Sequence, residues 1–180
     1  MLSIPGVSPE IAFDATPHAL ALAVPRAGVM LHYDDSSEDG WALAWFRDPT
    51  CENGYTWLVL DDGKLAQLED PGLRTPHAGK CRTPNANSHY YGLAAATNGQ
   101  VIVTAAQRAR LLAVTVALFR FHRWPVAEIP ARIRGHDEEA VFPDGRLGRK
   151  VDPRGERKDR VPILDMDRFR AQVALELLRK

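Results

Sequence analysis

Apolar positions in this chain fall into short continuous runs broken by polar clusters, the pattern of buried strands alternating with helices. Residues 28–33 (Gly-Val-Met-Leu-His-Tyr) read as a first buried strand, and Asp34-Asp35-Ser36-Ser37 as a turn and helix N-cap. Trp41, Ala44 and Trp45 then recur at helical spacing until Asp48-Pro49 stops the segment. Residues 54–60 and 64–68 flank Asp61-Asp62-Gly63 and predict a hairpin. Residues 69–89 show no period and carry Pro71-Gly72, Pro76 and Pro84, so they read as one long loop of the kind that serves function or is disordered. A further strand is expected over 90–96, closed by Asn98-Gly99.

Thr104-Ala105-Ala106-Gln107 fits a capping box and opens the longest helix, reaching about Arg123. Leu111, Leu112, Val114, Val116, Leu118 and Phe119 wrap more than one face, so this helix is expected in the core. Trp124-Pro125 ends it, with His122 read as a cation at the helix C-terminus. Asp165 caps a last helix whose inward stripe is Met166, Phe169, Val173 and Leu177. The prolines of residues 1–27 predict an irregular arm, with a short helical turn near Glu10 to Asp14, packed on a domain formed by residues 28–180. Together these elements predict a single α/β domain with a central mixed β-sheet flanked by helices.

Composition narrows this picture. At 180 residues and 45% hydrophobic content the chain can bury one sizeable core. Basic and acidic residues number 23 each, so no global field argues for nucleic acid or an anionic surface; no nucleic-acid partner is expected, and the protein is expected to be a monomer. No apolar run is long enough for stable membrane insertion. The N-terminus lacks a basic segment followed by an apolar core, so synthesis in the cytoplasm without a signal peptide is expected. Cys51 and Cys81 read as two free thiols, with one bridge as the alternative in an oxidising compartment. The segment from Arg146 to Arg160 holds seven basic against three acidic residues and reads as a solvated loop or a site for an anionic polymer.

The candidate chemistry lies around Gly135-His136, continuing through a Pro/Gly loop to Arg149-Lys150-Val151-Asp152-Pro153. His136 and Asp152, with His32 at the end of the first strand, suggest a His-His-Asp triad around zinc, with Lys150 beside it. Lysine is scarce here, five against eighteen arginines, and its compact ammonium differs chemically from the guanidinium fork. His77 and Cys81 are four residues apart but lack a second pair, so a structural zinc there is not expected. Tyr55 by itself reads as a structural tyrosine, and His18 is given no chemistry.

In order along the chain, the strand ending in His32 with serines behind it, the Gly-Tyr-Thr-Trp strand and its Asp-Gly hairpin come first. His77-Ala78-Gly79, Asn87-Ser88, the Thr104 helix, Gly135-His136 and Arg149-Lys150-Val151-Asp152-Pro153 follow. This ordered set resembles the zinc-dependent N-acetylmuramoyl-L-alanine amidases, which include amidase-type phage lysozymes, muropeptide-recycling amidases and peptidoglycan recognition proteins. The resemblance implies a zinc ion (Zn2+) held by His32, His136 and Asp152. It also implies Tyr55 and Lys150 as catalytic residues near the scissile amide, and His77 and Asn87 beside the substrate. The loop between His136 and Lys150 is longer than the family's, leaving Asp144 and Glu139 as other candidates for the third ligand. Ala94 stands where the recycling amidases carry a catalytic glutamate, which places the match nearer the phage branch, where a tyrosine takes that part.

The expected function is therefore hydrolysis of peptidoglycan at the amide between N-acetylmuramic acid and L-alanine, by an endolysin-type enzyme that acts on the cell wall. The alternatives are a recycling amidase acting on soluble muropeptides and a non-catalytic peptidoglycan-binding module.

Overall fold

In the computed structural model, which describes residues 2–13, 20–36, 38–48, 50–155 and 161–179, the apolar runs become strands of one twisted sheet. In chain order the elements begin with β1 (Ile11–Ala12), β2 (Leu20–Ala21), β3 (Gly28–Tyr33), α1 (Asp39–Arg47), β4 (Trp57–Val59), β5 (Leu65–Gln67) and β6 (Leu73–Arg74). There follow α2 (Ala86–His89), β7 (Tyr90–Ala95), α3 (Ala105–His122), α4 (Ile129–Arg132), β8 (Ile133–Gly135), α5 (His136–Glu139) and α6 (Met166–Leu178). The main sheet has the order β1-β5-β4-β7-β3-β8, and β2 pairs with β6 beside it. Only β4 and β5 run antiparallel within the main sheet; β4, β7, β3 and β8 are mutually parallel.

Both faces of the sheet are covered, which explains why its central strands are apolar throughout rather than alternating. Val29 and Leu31 of β3, Trp57 and Val59 of β4, and Tyr91, Leu93 and Ala95 of β7 pack against Leu111, Val114, Leu118 and Phe119 of α3 and Phe169 and Val173 of α6. The alternate residues Leu58, Leu60 and Ala94 pack with Ala42 and Phe46 of α1 on the opposite face. Thr104 caps α3 as predicted, its side chain accepting from Gln107 N at 3.0 Å while Gln107 Oε1 accepts from Thr104 N at 2.9 Å. Asp165 accepts from Asp167 N and Arg168 N at the start of α6.

Several expectations are corrected. The segment near Glu10 is no helical turn: Ile11–Ala12 is an edge strand parallel to β5, because Glu10 N and Phe13 N donate to the carbonyls of Leu65 and Gln67. Residues 69–89 are not wholly loop, since they hold β6 and α2. The N-cap of α1 is Glu38, without a side-chain cap bond, rather than the Asp/Ser cluster. Trp41, Ala44 and Trp45 recur at helical spacing on the exposed face, while Ala42 and Phe46 face the core. His122 is no C-terminal cation: its ring stacks on Trp124 at 4.5 Å and its Nε2 meets the Tyr91 hydroxyl at 2.9 Å. Burial lowers its pKa and keeps it neutral. Cys51 and Cys81 are free thiols. His18, Ser37, Pro49 and the end of the basic segment, 156–160, lie outside the described residues.

Candidate active site

His32 is the penultimate residue of β3, and Ala94 of β7 is its register partner. On the other side β8 runs parallel to β3 and ends at Gly135, so His136 emerges at the same end of the sheet. The carboxyl ends of adjacent parallel strands are where open α/β sheets place their ligands. Asp152 arrives there from the far end of the 140s loop, anchored by its own carbonyl, which accepts from Asp137 N at 2.7 Å.

The three side chains converge. Asp152 Oδ2 lies 2.9 Å from His32 Nδ1 and 3.0 Å from His136 Nδ1, and the three candidate ligand atoms all fall within 4.8 Å of one another. All three residues are buried. Asp144 instead pairs with Arg146 at the surface, and Glu139 is held by Arg134 and Thr83, so Asp152 is the carboxylate beside the two rings.

The remaining ring nitrogens decide what this convergence means. His136 Nε2 lies 2.8 Å from the Ala78 carbonyl, which can only accept, so that nitrogen carries the proton and Nδ1 presents a lone pair. His77 Nε2 lies 3.1 Å from the Tyr90 carbonyl and must likewise donate, which leaves His77 Nδ1 to accept. Its neighbour at 3.0 Å, His32 Nε2, is then the donor, and His32 Nδ1 is also unprotonated. Two imidazole lone pairs and a carboxylate oxygen thus face one another. Without a cation among them this arrangement is repulsive, and it matches the donor set of a three-ligand metal site with an open fourth position. Protonating His32 is not the alternative at neutral pH: burial, only partly offset by Asp152, lowers its pKa to about 4.

His77, expected beside the substrate, lines the cleft, and its two ring nitrogens meet His32 Nε2 and the Tyr90 carbonyl. The ring can lie there because β7 has Gly92 at this point: a Cβ would sit 2.8 Å from His77 Cγ. Gly92→Ala should therefore cost about 1–3 kcal/mol from overpacking. Thermal unfolding would show it as a drop of about 2–4 °C per kcal/mol, and an unchanged Tm would mean that the ring moves freely. Asn87 Oδ1 accepts from Ala78 N at 2.7 Å, fixing the loop whose carbonyl orients His136.

The site opens into a cleft of about 770 Å³, lined on one side by Trp45, Phe46, Asn53 and Tyr55 and on another by Ala78, Gly79, Arg149 and Lys150. Lys150 is exposed on the lip. The Tyr55 ring lies 5.0 Å from that of His32 and 5.4 Å from that of Phe46, and its hydroxyl faces the Tyr33 carbonyl at 3.3 Å. Burial, reinforced by the charges of Asp152 and Asp34, raises the Tyr55 pKa well above its ordinary value and keeps it protonated.

Two arginines that support the site were not singled out from the sequence. Arg149 Nη2 donates to the carbonyls of Ala78 and Lys80, bracing the loop against His136. Buried Arg26 donates to the carbonyls of Asn87, Ser88, Tyr90 and Leu73, and so shares the Tyr90 oxygen with His77. Adjacency to Lys150 was a signal for Arg149. Nothing local marks Arg26, because its partners lie at least 47 positions away.

The N-acetylmuramoyl-L-alanine amidase family matches residues 23–155, a span that contains all three convergent side chains. Among solved structures, a selenomethionine derivative of AmpD aligns with 25% identity over 96% of this chain and 99% of its own, with a TM-score of 0.69. A mutant endolysin from Bacillus subtilis aligns with 16% identity over 91% and 97%, TM-score 0.61. AmiD from E. coli, in complex with anhydro-N-acetylmuramic acid-L-Ala-D-γ-Glu-L-Lys, aligns with 19% identity over 88% and 58%, TM-score 0.59. No curated protein matches the chain significantly. With the match running from the arginine that braces β7 to the loop carrying the carboxylate, this chain belongs to the N-acetylmuramoyl-L-alanine amidase family.

Proposed function

We propose that this chain is a zinc-dependent peptidoglycan hydrolase that cleaves the amide between N-acetylmuramic acid and L-alanine, in an endolysin-type lytic role. The observation that carries the reading is the convergence of His32 Nδ1, His136 Nδ1 and Asp152 Oδ2 beside a cleft lined by Tyr55 and Lys150. His32, His136 and Asp152 would hold the zinc, which when bound supplies a Lewis acid and lowers the pKa of coordinated water to roughly 7.

The protein's own groups have separable tasks. The Lys150 ammonium is available to the oxygen of the scissile carbonyl as negative charge develops there. The Tyr55 hydroxyl, held protonated in the cleft wall, would pass a proton to the departing amine. His77 orients His32, and Asn87 orients the loop beneath His136. If His77 acts in this way, His77→Ala should weaken zinc affinity by roughly 10–100-fold, the usual cost of losing a partner behind a ligand. Chelator competition measures it; unchanged affinity with a raised KM would return His77 to the substrate.

Ala94 supports the lytic role, because the position that resembles the recycling amidases' glutamate here has no acid to offer and Tyr55 is left to handle the proton. The second reading, cleavage of soluble muropeptides, is favoured by the structure of AmiD, solved with an anhydro-N-acetylmuramic acid peptide. A non-catalytic binding module fits less well, since such modules lack a ligand and here all three converge. The test is incubation with purified cell walls and, separately, with soluble muropeptides, each with and without chelator. New muramoyl carboxyl groups and L-alanine amino termini that disappear with chelator are expected from walls. Cleavage of soluble fragments alone would replace the lytic role by recycling, and no new ends from either would overturn the amidase reading.

A further inference from the structure

Helix α1 spends its two largest side chains on solvent. Trp41 is 72% exposed and Trp45 54%, while Ala42 and Phe46 anchor the helix. The two indoles are four residues apart, which makes them neighbours on one helical face, and exposed Ala44 adds no bulk beside them. A scattered apolar side chain at a surface needs no explanation, but two adjacent tryptophans form a contiguous apolar patch.

The patch is joined to the site. From the His32 ring the path runs 5.0 Å to Tyr55 and 5.4 Å on to Phe46, and Trp45, the next residue on α1, lines the cleft. This side also carries Asp34, Asp35 and Asn53 among the cleft residues. Arg149 and Lys150 line the cleft too, Arg149 being bonded to the Ala78 carbonyl beneath His136. A substrate joining an uncharged sugar to a carboxylate-bearing peptide has ends that suit these two sides. Pyranose rings offer a face of C–H groups that packs on the electron-rich face of an indole, and hydroxyl and acetamide groups that bond to carboxylates and amides. The peptide's carboxylates suit the arginine and lysine.

Resting on the amidase reading, we propose that Trp41 and Trp45 form a subsite for N-acetylated sugar rings of the glycan strand, continuous with the cleft and outside the chemical centre. The subsite makes the enzyme favour substrates with longer glycans.

The binding test titrates the N-acetylglucosamine tetrasaccharide by isothermal calorimetry. Saturable heat is expected in the parent protein, lost in Trp41→Ala/Trp45→Ala and retained in Trp41→Phe/Trp45→Phe, whose rings still stack; circular dichroism checks that each variant is folded. The kinetic test compares muropeptides bearing a tetrasaccharide and a disaccharide. The ratio of their kcat/KM values should fall at least fivefold in the alanine variant. Binding heat that survives the double alanine change, an unchanged ratio, or self-association lost with the two indoles would overturn the subsite. Saccharide binding without cleavage of any substrate would sink the amidase reading and leave the subsite standing.

Discussion

His136→Ala is expected to remove bound metal and to reduce amide cleavage by roughly 10³-fold, the equivalent of about 4 kcal/mol of Lewis-acid stabilisation. The expectation follows from the ring's two contacts. Nε2 is committed to the Ala78 carbonyl, so Nδ1 is a lone pair aimed at the same point as those of His32 and Asp152. Deleting the ring leaves two ligands and a cavity beside the Ala78 carbonyl, which keeps its bond from Arg149, so the variant's stability must be checked by thermal unfolding. Asp152→Asn is the companion change, because it keeps the shape and removes the charge. Metal content by atomic absorption and cleavage of purified peptidoglycan are the readouts, and retention of both in Asp152→Asn would exclude the proposed ligand set.

Tyr55→Phe is expected to lower kcat by about 10²-fold while metal content stays at the parent level, the low end of what a positioned proton donor contributes. The ring should remain between His32 and Phe46, since Phe preserves both packing contacts. The hydroxyl's contact with the Tyr33 carbonyl is long at 3.3 Å, so its loss should cost about 1 kcal/mol of stability or less. An unchanged kcat would remove Tyr55 from the reaction and leave Lys150, on the cleft lip, as an alternative donor. Ala94, which pairs in register with His32, has no proton to give.

The sequence carried much of the fold because its strongest signals are local. The capping box at Thr104 and the Asp165 cap depend on residues three apart or fewer, and both form as read. The hairpin across Asp61-Asp62-Gly63 is also local, and β4 and β5 pair across it. Where local reading failed, distant partners decided. Ile11–Ala12 has no strand signal of its own, and becomes one because β5 offers an open edge some 55 residues away. The spacing of Trp41, Ala44 and Trp45 gave the helix correctly but not its inward face, because periodicity cannot tell a covered side from an open one.

The candidate site divides in the same way. Residue types and their order along the chain by themselves determined the His-His-Asp set, the lysine beside it and the strand that presents His32. Only the tertiary structure decided that Asp152, not Asp144 or Glu139, is the carboxylate between the rings, and that His77, in the cleft wall, also meets His32. Those choices turn on hydrogen bonds between groups separated by up to 120 positions, and on one position, Gly92, where an absent side chain makes room for a ring. Local pattern fixes which donors are available; the proton each nitrogen carries is set by partners that only the folded chain brings near.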